Sequence, residues 1–170
     1  YRPAIGQTGR KLDSDLLPLA GLTRGADVSI GNVIKCRYRS PKTKVKTNDL
    51  PGKFNQAKLE KEAAEYCLSH HTFIPDNTRL IVANGDLAWS SLGQPGKLEG
   101  WRGFIGPNTW RNLPVFGTFH PSYLNYQPRM NIPVMLDWKR VGAILRSEWP
   151  EPLPVVPTHA TDYDWVSIDT

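Results

Sequence analysis

Arg79-Leu80-Ile81-Val82-Ala83-Asn84-Gly85 is a compact apolar run that closes on a turn dipeptide, and Leu87 to Leu92 continues from it as a short helix. Aliphatic and β-branched residues bounded by turn formers read as a strand, so this stretch predicts a strand-to-helix unit. Downstream, Leu113-Pro114-Val115-Phe116-Gly117-Thr118-Phe119 predicts a second strand leading directly into His120-Pro121. Val134 to Leu145 predicts an amphipathic helix, with Val134, Leu136, Val141 and Leu145 apolar, Asp137, Lys139 and Arg140 polar, and Pro150 as its stop. Upstream, Val28-Ser29-Ile30-Gly31-Asn32-Val33-Ile34 predicts another strand, Gly9 to Ala20 a helix stopped by Gly21, and Gln56 to Phe73 a helix ended by Pro75. Gly93 to Asn112, rich in Gly and Trp, reads as irregular. Strands alternating with helices predict an α/β fold whose central, mostly parallel sheet is covered on both faces. Ligand sites of such sheets lie beyond the carboxyl ends of the strands, where Asn32, Asn84-Gly85 and His120 fall.

The chain has 170 residues, a length that fits one domain with a sizeable core. Its 39% hydrophobic and 22% charged residues, with 15 Pro and 14 Gly, exclude collagen, a coiled coil and wholesale disorder. No apolar run approaches the ~18 residues of a membrane span. The chain opens on Tyr1-Arg2-Pro3 without a secretory pattern. Two cysteines, Cys36 and Cys67, are too few for a disulfide framework, so a reducing, cytoplasmic setting is expected.

Charge divides the chain. Residues 148–170 hold five acids and no Lys or Arg, so the +5 total conceals +10 on residues 1–147. Lys35, Arg37, Arg39, Lys42, Lys44, Lys46, Lys53 and Lys58 face only Asp49 among acids. Such a run is either a solvated loop or the footprint of a polyanion. The four prolines between Trp149 and Thr158 have the composition of an extended linker. We therefore expect a body over 1–147, an acidic Pro-rich linker over 148–162 and the start of a following domain over 163–170.

Thr118-Phe119-His120-Pro121-Ser122-Tyr123-Leu124 is the sharpest local feature. A His at a strand end followed by Pro has its backbone direction fixed, and its ring either faces a ligand or packs among Phe119 and Tyr123. Asn32 is likewise either a turn residue satisfying local backbone or a reader of polar edges.

Five segments carry a resemblance. Tyr1-Arg2-Pro3-Ala4-Ile5-Gly6-Gln7-Thr8-Gly9 resembles GRPFVGxAG, Gly31 to Arg37 resembles TNVVKCR, and Ile81 to Gly85 resembles IVALG. Trp101-Arg102-Gly103 resembles L-R-G, and Thr118 to Leu124 resembles T-x-HPAYL. All belong, in this order, to the uracil-DNA glycosylase superfamily, and the nearest match is its iron–sulfur branch. The resemblance covers 1–147 and implies a three-layer α/β/α domain that flips uracil out of DNA and cleaves its N-glycosidic bond. It implies Asn32 as base reader and His120 as electrophile. Ser122, Tyr123, Leu124, Asn125 and Tyr126 become the DNA loop, with Lys35, Arg37, Arg39 and Arg102 as further DNA contacts.

Cys36 and Cys67 are either buried thiols or, as the resemblance implies, two of four ligands of a 4Fe–4S cluster. The other two would lie upstream of Tyr1, as would the family's water-positioning acid. Two departures stand out: Ala4 occupies the place of the aromatic that stacks on the flipped base, and the Lys-rich segment between the cysteines is longer than expected. Trp165-Val166-Ser167-Ile168-Asp169-Thr170 resembles the first motif of DnaQ-like exonuclease domains of phage-type family A DNA polymerases. The alternative to a glycosylase is a non-catalytic DNA-binding or uracil-sensing module attached to such a polymerase.

Overall fold

The structure, a computed structural model, describes residues 6–35, 56–70 and 73–148. Ala4, Cys36, Arg37, Arg39, most of the Lys-rich segment, the linker beyond Glu148 and the 163–170 run lie outside the described residues.

Strands β1 (Ile81–Asn84), β2 (Ile105–Trp110) and β3 (Leu113–Thr118) form one sheet in the order β1-β3-β2. β1 runs parallel to β3, with Ile81 opposite Val115 and Asn84 opposite Thr118. β2 runs antiparallel to β3, and its register shifts between Ile105 and Thr109. The fold is α/β as expected, and the described sheet is small and mixed rather than mostly parallel.

Side chains alternate across the sheet. Phe116 joins Leu12, Leu16, Leu17, Val134, Trp138 and Val141 in one core, with Val82 packed against it. Val115 and Ala83 join Leu68, Trp89, Leu92 and Leu98 in the other. The first is covered by the N-terminal helical segment and α6 (Asn131–Leu145), the second by α3 (Gln56–His70), α4 (Asp86–Ser91) and α5 (Leu98–Trp101). β3 is thus paired on both edges and covered on both faces. A Cβ at Gly117 would stand 2.7 Å from Leu98 and 2.9 Å from Trp89, so the second layer packs directly on bare backbone.

The N-terminal helix is not continuous: α1 (Gln7–Lys11) passes through a wide π turn at Leu12–Leu16 into α2 (Leu17–Leu19). Gly21, at φ +71°, ends it, with Leu22 N–H bonded to Leu17 O and Gly21 N–H to Pro18 O, both at 3.0 Å. This paired cap needs the left-handed conformation that glycine adopts readily.

Three expectations change. Val28 to Ile34 is not a strand; only Val28 bridges, to Arg24. Its apolar residues instead reach into the two cores, Ile30 into the first and Val33 into the second. Gly93 to Asn112 is not irregular, since it holds α5 and β2. α6 ends at Leu145, well before Pro150: Ser147 sits at φ 58° and Glu148 N–H reaches back to Ala143 O at 2.9 Å.

Candidate active site

His120 leaves the carboxyl end of β3 in extended conformation (φ −62°, ψ 134°), and Pro121 opens a 3-10 turn, Pro121–Asn125. The backbone N–H of Ser122 donates to His120 Nδ1 at 3.2 Å. A backbone N–H can only donate, so Nδ1 is an acceptor, the imidazole is neutral and its proton sits on Nε2. The Ser122 hydroxyl, 2.6 Å from the same nitrogen, must then donate as well. Burial acts in the same direction and pushes the His120 pKa below its ordinary value of 6.5. The side chain nevertheless keeps an exposed edge. The site therefore presents a neutral N–H donor with both its tautomer and its direction set.

The neighbouring strand end is drawn tightly against it. Gly85 N–H donates to Thr118 O at 2.9 Å, and a Cβ on Gly85 would stand 3.3 Å from His120 Cβ. Gly85 sits at φ +95°, so a side chain there would be strained whatever the space.

Asn32 is exposed between Ile30 and Val33, which anchor to the first and second core respectively. Phe119, immediately before His120, packs against both cores. Asn32 and His120 thus both leave the chain from residues seated where the two layers meet. Lys35 is exposed, and its backbone N–H donates to Cys67 Sγ at 3.4 Å, which ties the segment after Asn32 to α3.

Two of the expected DNA contacts are engaged within the fold. Arg102 Nη1 bonds Asp137 Oδ1 at 2.6 Å and Pro133 O at 3.1 Å, and its guanidinium lies 5.9 Å from the Phe119 ring centroid. Its charge faces the interior because a buried carboxylate requires a partner. Leu124 is 2% exposed and belongs to the first core, since the 3-10 turn rotates it inward. The loop's outward residues are Asn125, Tyr123 and Tyr126, the last 81% exposed. Tyr123 also packs its ring at 4.9 Å from Phe119.

Sequence reading missed Asp137, which stands among the polar residues of α6 and yet is 1% exposed. Thr118 Oγ1 donates to its Oδ2 at 2.8 Å. Burial pushes the Asp137 carboxyl above its ordinary range, against the Thr118 and Arg102 hydrogen bonds and the charges of Arg102 and Arg140. The buried chain Thr118–Asp137–Arg102 braces the strand end that carries His120. Arg102 and Thr118 each fell within a visible motif; Asp137 did not.

Among the described residues no group of three or more His, Cys, Asp or Glu could hold a metal ion. No described helix is long and apolar enough to cross a membrane. Residues 2–141 match the family model described as the Uracil DNA glycosylase superfamily. No curated protein matches the chain.

Proposed function

The chain belongs to the uracil-DNA glycosylase superfamily, and from that premise we propose that it extrudes uracil from DNA and hydrolyses the bond between uracil N1 and sugar C1′. The observation that carries this reading is the neutral His120, whose Nδ1 accepts from Ser122 N–H and whose Nε2–H is consequently a donor. As the N1–C1′ bond breaks, its electron pair passes into the uracil ring and charge builds on the ring oxygens. A fixed donor directed at O2 acts most strongly at that moment. Water then bonds to C1′, and its proton leaves to solvent or to the departing uracil anion. The products are free uracil and an abasic sugar.

Asn32 is the base reader in this scheme. One amide offers both a donor and an acceptor, matching uracil O4 and N3–H, whereas cytosine presents the reverse pattern. Extrusion costs a few kcal/mol, offset by the loop after His120, with Tyr126 and Asn125 entering the DNA and Ser122 and Tyr123 beside them. Lys35, with Arg37 and Arg39 in the basic run, contributes phosphate contacts.

Cys36 and Cys67 would supply two of the four thiolates of a 4Fe–4S cluster. The N–H donated by Lys35 to Cys67 Sγ suits a thiolate ligand and brings the residue before Cys36 to that sulfur. The cluster's contribution would be structural, pinning the segment that bears Asn32 to α3.

The test is release of uracil from single- and double-stranded oligonucleotides, read as alkali-labile strand cleavage, with His120→Ala and Asn32→Ala in parallel. Loss by at least a hundredfold in both variants is expected; wild-type rates in both would overturn the assigned roles. A second reading is favoured by Ala4, which puts no aromatic where the family stacks the base. It is a non-catalytic DNA module, alongside exonuclease and polymerase domains if the 163–170 run is an exonuclease strand. It predicts DNA affinity that falls steeply with salt and no abasic product.

A further inference from the structure

α6 turns one face into the first core through Val134, Trp138 and Val141, with Asp137 buried beside them. Its opposite face repeats at helical spacing as Ile132, Leu136, Lys139 and Ala143, flanked by Met135 and Arg140. Ile132 is 70% exposed and Leu136 49%, and the Arg140 guanidinium lies 5.4 Å from the ring centroid of Phe104, itself half exposed. Leu136, Lys139, Arg140 and Ala143 line a shallow groove of about 370 Å³. The face is apolar toward the start of the helix and basic toward its end. It holds no acid, since the only acid of α6 is the buried Asp137. A surface helix normally turns polar residues outward, so clustered large apolar ones mark a face that is covered. The chain itself is brought back to this face. Ser147 at φ 58°, Ser147 N–H bonded to Ile144 O at 3.0 Å and Glu148 N–H bonded to Ala143 O at 2.9 Å form a paired cap that turns the backbone around. Glu148 is thereby held against Ala143, a residue of the groove.

We propose that this face docks the segment that follows it, Trp149-Pro150-Glu151-Pro152-Leu153-Pro154-Val155-Val156-Pro157, laid back along α6 toward its first turn. Charge and polarity match in order. Read from its end to its start the face is basic and then apolar; the segment offers Glu151 first and then Leu153, Val155 and Val156, and residues 148–170 contain no Lys or Arg. The reach matches as well. Ile132 lies 11 residues before Ala143, about 16 Å of helix at 1.5 Å per residue, while a Pro-rich extended chain advances about 3.1 Å per residue. With Trp149 level with Ala143, Glu151 arrives beside Lys139 and Arg140, Leu153 beside Met135 and Leu136, and Val155 beside Ile132. Proline lowers the ordering cost of such docking, because the free chain has fewer conformations to lose. The docking delivers whatever follows Pro157 to the first turn of α6, next to the loop after His120. The proposal is independent of the base-flipping reading.

The experiment places the photo-crosslinking residue p-benzoylphenylalanine at position 135 of the full chain, in place of Met135, with a control at position 109, in place of Thr109, which is exposed on β2. Crosslinked peptides are identified by mass spectrometry in an equal mixture of isotopically light and heavy chains. The expected result is a crosslink from position 135 to residues 149–157 of the same chain, and none to that segment from position 109. Lys139→Glu should lower the yield about threefold, the scale of one surface ion pair, at an unchanged melting temperature. Adding Glu151→Lys to that variant should restore it. Crosslinks that join light to heavy chains would overturn the proposal and make a second copy the occupant of this face. Crosslinks from position 135 confined to other segments, or equal yields from positions 135 and 109, would overturn it too.

Discussion

Arg102 and Asp137 form a buried ion pair, Nη1 to Oδ1 at 2.6 Å, in which the carboxylate side chain is 1% exposed and the guanidinium 24%. They lie 35 positions apart, and the pair joins α6 to the segment between α5 and β2. Removing one partner of such a pair strands the other's charge. Arg102→Met should therefore destabilise the protein by about 3–5 kcal/mol, measured by urea denaturation. Asp137→Asn in the same background should recover a large part of that loss, because the amide still meets Thr118 and carries no charge. A loss below 1 kcal/mol in Arg102→Met would show that the carboxyl is already protonated.

Ser122 holds His120 in two ways, through its backbone and through its hydroxyl. Ser122→Ala removes only the second, so the tautomer set by the backbone N–H persists. Uracil release should fall by roughly tenfold or less, since one hydrogen bond contributes about 0.5–1.5 kcal/mol. His120→Ala should cost at least a hundredfold. Single-turnover rates on one oligonucleotide measure both, and equal losses would place the orienting role on the hydroxyl.

The lowered pKa of His120 sets the acid limb of the rate profile. The proposed mechanism uses the neutral ring, so the rate should hold as pH falls past 6.5 and decline only through the lower folded value. Stability follows with a defined sign. Between 6.5 and the folded value the unfolded chain binds the extra proton, so the contribution of His120 falls as pH falls through that window, and levels off below it. A plot of unfolding free energy against pH, compared with His120→Asn, should show this difference. Asp137 acts in the opposite sense: its folded value is raised above 3.8, so its contribution declines as pH rises between the two values.

Gly142 on α6 is pressed against the backbone that ends α2. A Cβ there would stand 2.6 Å from Ala20 O and 2.8 Å from Ala20 Cα, both main-chain atoms. Gly142→Ala should therefore cost at least about 1–3 kcal/mol despite alanine's better helix propensity, and Gly100→Ala, which meets nothing within 4 Å, should not. Parallel thermal melts would separate the two.

The strand and helix that opened the sequence reading were legible because local pattern and tertiary environment agree there. β2 was not: Ile105–Trp110 holds Gly106 and Pro107, poor strand formers, and Pro is tolerated because β2 pairs only with β3 among the described residues. Its return turn, Arg111-Asn112, has positive φ at both residues, a habit of Asn and not of Arg. Val28 to Ile34 shows the converse failure, since β-branched content marks a surface suited to pleating and does not supply a neighbouring strand. At the site, His120 and Ser122 were visible through Pro121, which fixes the local path. Asp137 was hidden because its burial depends on Arg102, far away in sequence, and the inward turn of Leu124 depends on a core assembled from both ends of the domain.

β3 bears His120 at its tip and is clasped along both edges and both faces, while Asn32 and Tyr126 stand on irregular backbone and Asn125 closes a short 3-10 turn. In the proposed scheme the two halves of recognition are therefore mechanically unequal. Substitutions in the loops can alter which DNA is gripped, and how tightly, without disturbing the imidazole. Substitutions along β3 must satisfy two packed layers at once. In such a domain, substrate preference is free to drift while the reacting group stays still.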